Sequence, residues 1–323
     1  MRMRNKYNEP RSGCSMLIGG ASLLIISMII SMIIAWMALS AYMPEISARS
    51  SGDQEAFAAY LQSIIGNINA NIAALNLNNL NILINAAQTV ILFIIFKLIY
   101  KRPLSEMGLS RRNGVKMLGL GCLAGAVAIS LFALIASLSG MAEFSGLALQ
   151  KASPADIGIA FVYFVSVGFY EEILCRGFFM TALKTTRKKW VIIAIPVLIF
   201  GLMHLLNPNV SLLADINIML IGVAFAYMFI KSGALWMPVG YHIMWNFFQG
   251  NVYGIQVSGT TQASLMKYSA LGPDILTGGV FGAEGGLICT AITLGVLVCI
   301  RFAVNTKEPP VWTMDSGLPF DSR

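Results

Sequence analysis

Two adjacent glutamates, Glu171 and Glu172, stand with Arg176 inside an apolar stretch of the chain, in the sequence GFYEEILCRGFF. An ionisable side chain at the centre of a membrane helix costs roughly 2.5–3.5 kcal/mol, so such residues are candidates for function. Glu172 and Arg176 are four residues apart, one helical turn, and this spacing predicts an ion pair along one face. Glu171 then projects about 100° away around the helix, where it is free to face a cavity.

The chain has two histidines, and both lie in other apolar stretches. His242 and Asn246 are four residues apart, so their side chains are predicted to project together. His204 and Glu171 stand almost equally far along the chain from the basic turn at 184–189. At 1.5 Å of rise per residue, both lie about 25 Å from that turn if the two helices are antiparallel. We therefore predict that these polar groups meet at one level of a helical bundle.

A carboxylate, two imidazoles and an amide in a membrane cavity suit the hydrolysis of a peptide bond by activated water. In this hypothesis Glu171 and His204 deprotonate and hold the water, while His242 and Asn246 donate hydrogen bonds to the oxyanion. The G-x-S-x-G motif of serine hydrolases and the H-E-x-x-H motif of zincins do not occur in the sequence.

Structural interpretations compete at each of these positions. A Glu172–Arg176 pair is also expected where two helices are merely held together, and a buried histidine or an amide often only hydrogen-bonds a neighbouring helix. The same polar residues would also serve a membrane binding or transport protein that holds a ligand or relays protons. Asp215 is expected to be a helix-end residue near the lipid headgroups, with a role in orienting His204 as the alternative.

The composition predicts what must position these side chains. Hydrophobic residues make up 57% of the chain and charged residues 11%, whereas soluble domains carry about 25% charged residues. Long apolar runs without alternation predict an all-α polytopic membrane protein, a single domain over 1–323 that is a bundle of about eight transmembrane helices. The predicted spans are 15–43, 81–100, 117–139, 157–183, 190–206, 210–230, 233–250 and 283–302.

Basic residues indicate the orientation of the bundle. Of those outside the spans, only Arg49, Lys151 and Lys267 fall in segments that lie outside if the N-terminus is inside. This asymmetry predicts cytoplasmic N- and C-termini, with extracytoplasmic loops at about 44–80 and 251–282. The same asymmetry accounts for the net charge of +7. A nucleic-acid partner is not expected, because the sequence has no apparent basic patch with aromatic residues on which bases could stack. The asparagine-rich segment 66–85 is assigned no chemistry.

Three ordered motifs carry a resemblance to a known family: Glu171-Glu172-x-x-x-Arg176, Phe200-x-x-x-His204 and His242-x-x-x-Asn246. The chain resembles the CAAX protease and bacteriocin-processing (CPBP) family of intramembrane endopeptidases, which includes the Ras-converting CAAX enzymes. The resemblance lies mainly within 157–250, inside a motif-bearing core at about 117–250, and RPLSEMGL, at 102–109, is similar to the family segment before the third span.

The resemblance implies an eight-helix fold and an intramembrane endopeptidase in a bacterial plasma membrane, with a membrane-associated peptide or protein as substrate and the bilayer as its environment. It implies Glu171 as general base, His204 as its water-activating partner, His242 and Asn246 as the oxyanion pair, and the Glu172–Arg176 ion pair as their support. A mechanism without a metal is preferred. If a metal is used, Glu171, His204 and His242 have the composition of a His₂Glu zinc site. Some relatives are immunity or scaffold proteins, which keeps a non-catalytic function as the alternative.

Overall fold

The computed structural model describes residues 77–147, apart from 102 and 112, and residues 153–304, together with positions 54, 57, 58 and 60. The described chain is mostly helical. Its helices are α1 (Leu77–Tyr100), α2 (Gly114–Leu138), α3 (Pro154–Glu172), α4 (Met180–Leu183), α5 (Lys189–His204), α6 (Leu212–Ser232), α7 (Trp236–Phe247), α8 (Asp274–Thr277) and α9 (Leu287–Ala303). Two π-helical segments extend this set: Ile173–Phe179 joins α3 to α4, and Phe248–Val252 continues α7.

Four of these helical stretches are long and apolar enough to cross a membrane, and α5 and α9 are shorter apolar helices. Leu98, Val115 and Leu138 are large apolar side chains that stay exposed on them. So much exposed apolar surface is unfavourable in water and normal in lipid, so the chain is an integral membrane protein. The four stretches are Asn81–Tyr100, Gly114–Leu138, Pro154–Thr186 and Leu212–Ser232.

The prediction of a helical membrane fold is thus confirmed, while the number of eight spans and the cytoplasmic termini stay predictions. The first predicted span, 15–43, lies outside the described residues, and so does nearly all of the loop at 44–80. The end of the asparagine-rich segment 66–85 belongs to α1.

The all-α prediction missed a two-stranded antiparallel sheet. Strand β1 (Ala142–Leu147) pairs with β2 (Met266–Ala270), and Phe144 stands opposite Tyr268 with ring centroids 5.3 Å apart. Cross-strand aromatic pairs of this kind stabilise short sheets, but two strands of five or six residues give too weak a pattern to recognise in sequence.

The predicted loop 251–282 is therefore a folded segment with strand β2, helix α8 and a short 3₁₀ turn. The last predicted span was also misplaced at its start. Helix α9 begins at Leu287, because the glycine-rich 283–286 forms a separate 3₁₀ turn before it.

Local signals fix where the helices that carry the site begin and end. Ser153 caps α3, accepting from the backbone N–H of Asp156, whose carboxylate accepts from Ser153 in return. Ser211 caps α6 in a similar way through Ala214, and α6 ends at Gly233, whose φ of 67° suits glycine. These caps determine the residues at which α3 and α6 begin.

Helices α2 and α7 approach each other closely through glycines. A Cβ atom at Gly121 would overlap the carbonyl oxygen of Met237, and one at Gly125 would overlap that of Tyr241. Small residues four apart allow two membrane helices to pack backbone against backbone. Since α7 carries the two predicted oxyanion residues, this contact also fixes their position.

We expect Gly125→Ala to lower the free energy of unfolding by about 1–3 kcal/mol, because the added methyl group forces α2 away from α7. Thermal unfolding of the detergent-solubilised protein measures the effect. Gly119→Ala on the same helix is the matched control, since nothing lies within 4 Å of a Cβ placed there. Equal unfolding temperatures for the two variants would contradict the close packing.

Candidate active site

The predicted polar residues line one cavity of about 290 Å³. Glu171 comes from the end of α3, His204 from the end of α5, and His242 and Asn246 from α7. Side chains that are far apart in sequence thus converge at one place in the bundle. The convergence agrees with the depth estimated from helical rise.

Beside this cavity Glu172 and Arg176 form a fully buried ion pair. Nη1 of Arg176 donates to Oε1 of Glu172 at 2.9 Å, and Nη2 donates to the carbonyl of Gly222 on α6, also at 2.9 Å. The guanidinium lies over two rings, with its carbon 4.7 Å from the centroid of Phe200 and 5.1 Å from that of Phe225. The predicted pair therefore exists, and it also ties α3 to α5 and α6.

His242 lies between the two glutamates. Its Nδ1 is 3.2 Å from Oε1 of Glu172, and its Nε2 is 3.8 Å from Oε2 of Glu171. The imidazole stacks on Phe225, with centroids 5.0 Å apart and ring planes 24° apart. Because the carboxylate of Glu172 accepts, Nδ1 carries a proton, and Nε2 is the nitrogen that faces Glu171.

Glu171 is the less constrained of the two glutamates. Its side chain is 16% exposed, against 0% for Glu172. Within the described part of the chain, its Oε2 is buried and has no hydrogen-bond partner. A buried acceptor of this kind is costly unless water or a ligand satisfies it, so this oxygen has the capacity to bind a reacting group.

His204 is held by its own helix. Its Nδ1 lies 2.7 Å from the backbone carbonyl of Phe200, one turn earlier. A carbonyl only accepts, so this nitrogen carries the proton and Nε2 keeps a lone pair. The Phe200-x-x-x-His204 spacing therefore fixes the tautomer of the histidine as well as its position.

Two of the helices that carry the site, α3 and α7, change from α- to π-helix next to the motif residues. The first π-segment, Ile173–Phe179, begins directly after Glu172, and the second, Phe248–Val252, begins two residues after Asn246. Single π-turns inside helices are often found at functional sites, where the wider turn redirects the side chains. Neither segment was predicted from the residue pattern.

Asp215 is placed as predicted at a helix start, in the first turn of α6, but it is buried. Its Oδ1 has no partner among the described residues, and its side chain is not part of the cavity lining. His204 is oriented by Phe200 instead, so the alternative role of Asp215 finds no contact in its favour.

The described residues contain no group of three or more His, Cys, Asp and Glu side chains arranged to hold a metal ion. Glu171, His204 and His242 therefore do not form the His₂Glu set in this arrangement, although all three line the cavity. The mechanism without a metal and the zinc alternative both stay predictions.

One acidic residue of the cavity wall was missed in the sequence. Glu284 is 3% exposed, lines the cavity and accepts a hydrogen bond from Nε2 of Gln249 at 2.6 Å. The signal was present, since Glu284 is the single acid of the predicted span 283–302 and stands in the sequence FGAEGGL. Its glycine neighbours made it resemble a loop residue.

Comparison with protein-family models matched residues 153–248 to the family described as Type II CAAX prenyl endopeptidase Rce1-like. Comparison with curated proteins and with solved structures gave no match. The matched segment holds α3, α5, α6 and α7 and so all three motifs of the cavity. The match covers under a third of the chain, and it supports the resemblance of this segment to the CAAX protease and bacteriocin-processing family.

Proposed function

We propose that the chain is a multi-pass intramembrane endopeptidase that hydrolyses a peptide bond of a membrane-associated peptide or protein. The family match supports a protease of the CAAX type. The observation that carries the proposal is the buried Oε2 of Glu171, which has no hydrogen-bond partner among the described residues, in a cavity shared with His204, His242 and Asn246. A bacterial plasma membrane stays a prediction from the resemblance.

In this mechanism, Glu171 is the general base. Its Oε2 accepts one proton of a water molecule, and the lone pair on Nε2 of His204 accepts a hydrogen bond from the other. Held by two acceptors, the water presents its own lone pair to the scissile carbonyl. General-base catalysis of this kind contributes about 10²–10⁴-fold to a rate.

His242 and Asn246 are the proposed oxyanion donors. Nδ1 of His242 faces the carboxylate of Glu172, so the imidazole donates to the oxyanion from Nε2 only in the form in which both ring nitrogens carry a proton. In that form Nδ1 donates to Glu172 and Nε2–H is available to the oxyanion, together with the side-chain amide of Asn246. Loss of one oxyanion donor typically lowers kcat by about 10²–10³-fold.

Collapse of the tetrahedral intermediate completes the reaction. The carbonyl re-forms, the carbon–nitrogen bond breaks, and Glu171 returns the proton taken from water to the leaving amine. The immediate products are a new C-terminal carboxylic acid and a new amine, and the carboxylate of Glu171 is restored. The acid then loses its proton to the amine or to water and becomes a carboxylate. Every step uses side chains of the chain itself.

Purified protein in proteoliposomes tests the function with a panel of membrane-anchored peptides, with and without a C-terminal prenyl group. We expect a shortened product that carries one ¹⁸O in its new carboxylate when cleavage takes place in H₂¹⁸O. Comparison of the two peptide sets then defines the substrate class. If peptides bind but none is cleaved, the chain is a non-catalytic binding, immunity or transport protein, and the proposal is wrong.

A further inference from the structure

Glu284 lies outside the three motifs and outside the matched segment 153–248, yet it belongs to the cavity wall. It sits in the 3₁₀ turn Ala283–Gly285, between the folded segment that contains β2 and the start of α9. A buried carboxylate needs several hydrogen-bond donors to offset its lost hydration. The identity of those donors indicates what Glu284 does.

The donors come from the helix that carries the oxyanion residues. Oε2 of Glu284 accepts from Nε2 of Gln249 at 2.6 Å, and Oε1 lies 3.5 Å from Nε1 of Trp245. Trp245 is the direct neighbour of Asn246, and Gln249 is in the π-helical extension of α7. The carboxylate therefore contacts one residue before Asn246 in the sequence, Trp245, and one residue after it, Gln249.

The same carboxylate is also linked to the loop that closes the cavity. Nε2 of Gln249, which donates to the Glu284 carboxylate, also donates to the carbonyl of Gln256 at 2.6 Å. Val257, Ser258 and Thr260 line the cavity beside the catalytic candidates. Glu284 is thus connected to this loop, residues 256–260, through the side chain of Gln249.

The turn that holds Glu284 is itself firmly anchored. Nδ2 of Asn217, on α6, donates to the backbone carbonyls of Glu284 at 2.8 Å and Gly286 at 3.0 Å. The hydroxyl of Thr290, on α9, donates to Oδ1 of Asn217 at 2.6 Å. Since the backbone of Glu284 is fixed to two helices, its carboxylate is a rigid reference point for the groups that it accepts from.

We infer that Glu284 is a positioning residue for the proposed peptide hydrolysis: it fixes the end of α7 and the 256–260 loop so that Asn246 meets the oxyanion. The inference rests on the proposed function. Trp245 extends the effect to His242, because it stacks on Tyr241 at 5.9 Å and Tyr241 packs on Phe225, which stacks on the imidazole at 5.0 Å.

Every one of these partners donates, so a carboxylate suits the position and an amide does not. In Glu284→Gln, the side-chain NH₂ of the new residue meets an N–H donor, whichever way it is turned. The substitution hardly changes the volume of the side chain. Its main effect is that the hydrogen bonds no longer hold the end of α7 in a fixed position. Small displacements of a catalytic group lower turnover more than they lower substrate affinity.

The test is Glu284→Gln in the full chain, reconstituted in proteoliposomes with a peptide that the unmodified protein cleaves. We expect kcat to fall about 10–100-fold with KM unchanged. Amide hydrogen exchange in 249–260 should become faster in the variant, in a measurement that does not depend on cleavage. Glu143→Gln, an exposed glutamate of β1, is the control and should change neither quantity.

Gln249→Met removes the same hydrogen bond from the other side and is expected to give the same fall in kcat, so the proposal stays testable if Glu284→Gln does not fold. Unchanged kcat in both variants would overturn the role of Glu284 alone. So would a rise in KM at constant kcat, which indicates direct substrate contact. If the unmodified chain cleaves nothing, the peptidase function fails and this role falls with it.

Discussion

Glu171→Gln is expected to lower kcat for peptide cleavage by about 10²–10⁴-fold, because an amide cannot take a proton from water. The substitution keeps the size and the polarity of the side chain. Among the described residues, Oε2 of Glu171 has no hydrogen-bond partner, and its approach to Nε2 of His242 is a longer one of 3.8 Å, so the replacement breaks no hydrogen bond of this oxygen. The variant should therefore insert, fold and still bind substrate.

Initial rates in proteoliposomes measure this loss, and thermal unfolding checks that the variant is folded. Glu143→Gln on the exposed strand β1 is the matched control and should cleave at the parental rate. Glu172→Gln is compared with Glu171→Gln to tell the roles of the two adjacent acids apart, since Glu172 is buried and paired with Arg176. A parental rate for Glu171→Gln would refute its role as base, and a peptide that stays bound to this variant identifies the substrate.

Helical arithmetic was sufficient to predict the centre of the site. Residue spacing alone placed Glu172 with Arg176, and counting from the basic turn at 184–189 placed Glu171 level with His204. The observed ion pair at 2.9 Å and the shared cavity follow from these periodicities. Such predictions succeed because a chain that crosses a membrane forms a regular helix, and a regular helix fixes the direction in which each side chain projects.

Features that depend on contacts between distant segments were not predictable in this way. Spacing indicated His204 as the partner of Glu171, yet the imidazole nitrogen that lies within 4 Å of its carboxylate in the structure is Nε2 of His242, at 3.8 Å. This placement depends on how α7 packs against α2 and α3. The role of Glu284 likewise depends on α6 and α9, which hold its turn in place through Asn217 and Thr290.

The family resemblance and the structure contribute different parts of the site. The motifs name the side chains that bear the chemistry, and all of them lie within residues 153–248. Other residues that line the cavity come from α1, from the 256–260 loop and from Glu284, and these lie beyond that segment. Substrate selection is therefore expected to reside largely in parts of the chain that the family match does not cover.

Arg176→Met is expected to lower the free energy of unfolding by about 3–5 kcal/mol, because removal of one partner leaves the other charge buried and uncompensated. The side chain of Glu172 is 0% exposed. The lost guanidinium also vacates its place over Phe200 and Phe225 and frees the carbonyl of Gly222. Unfolding in detergent, followed by heat or denaturant, measures the loss.

The double variant Glu172→Gln with Arg176→Met provides the control within the same site. Replacement of a buried ion pair by neutral groups of similar volume is often close to neutral, so the double variant should recover most of the stability that the single variant loses. Equal losses in the single and double variants would show that packing of the arginine, and not the buried charge, is what matters.

Activity should not return with stability in that double variant. The side-chain oxygen of a glutamine at position 172 still accepts from Nδ1 of His242, but it no longer brings the negative charge that supports a doubly protonated imidazole. Without Nε2–H, the proposed oxyanion site keeps only Asn246 as a donor, and kcat should stay about 10²–10³-fold below the parental value. A folded double variant with full turnover would mean that the ion pair only holds helices together, and that His242 acts in another way.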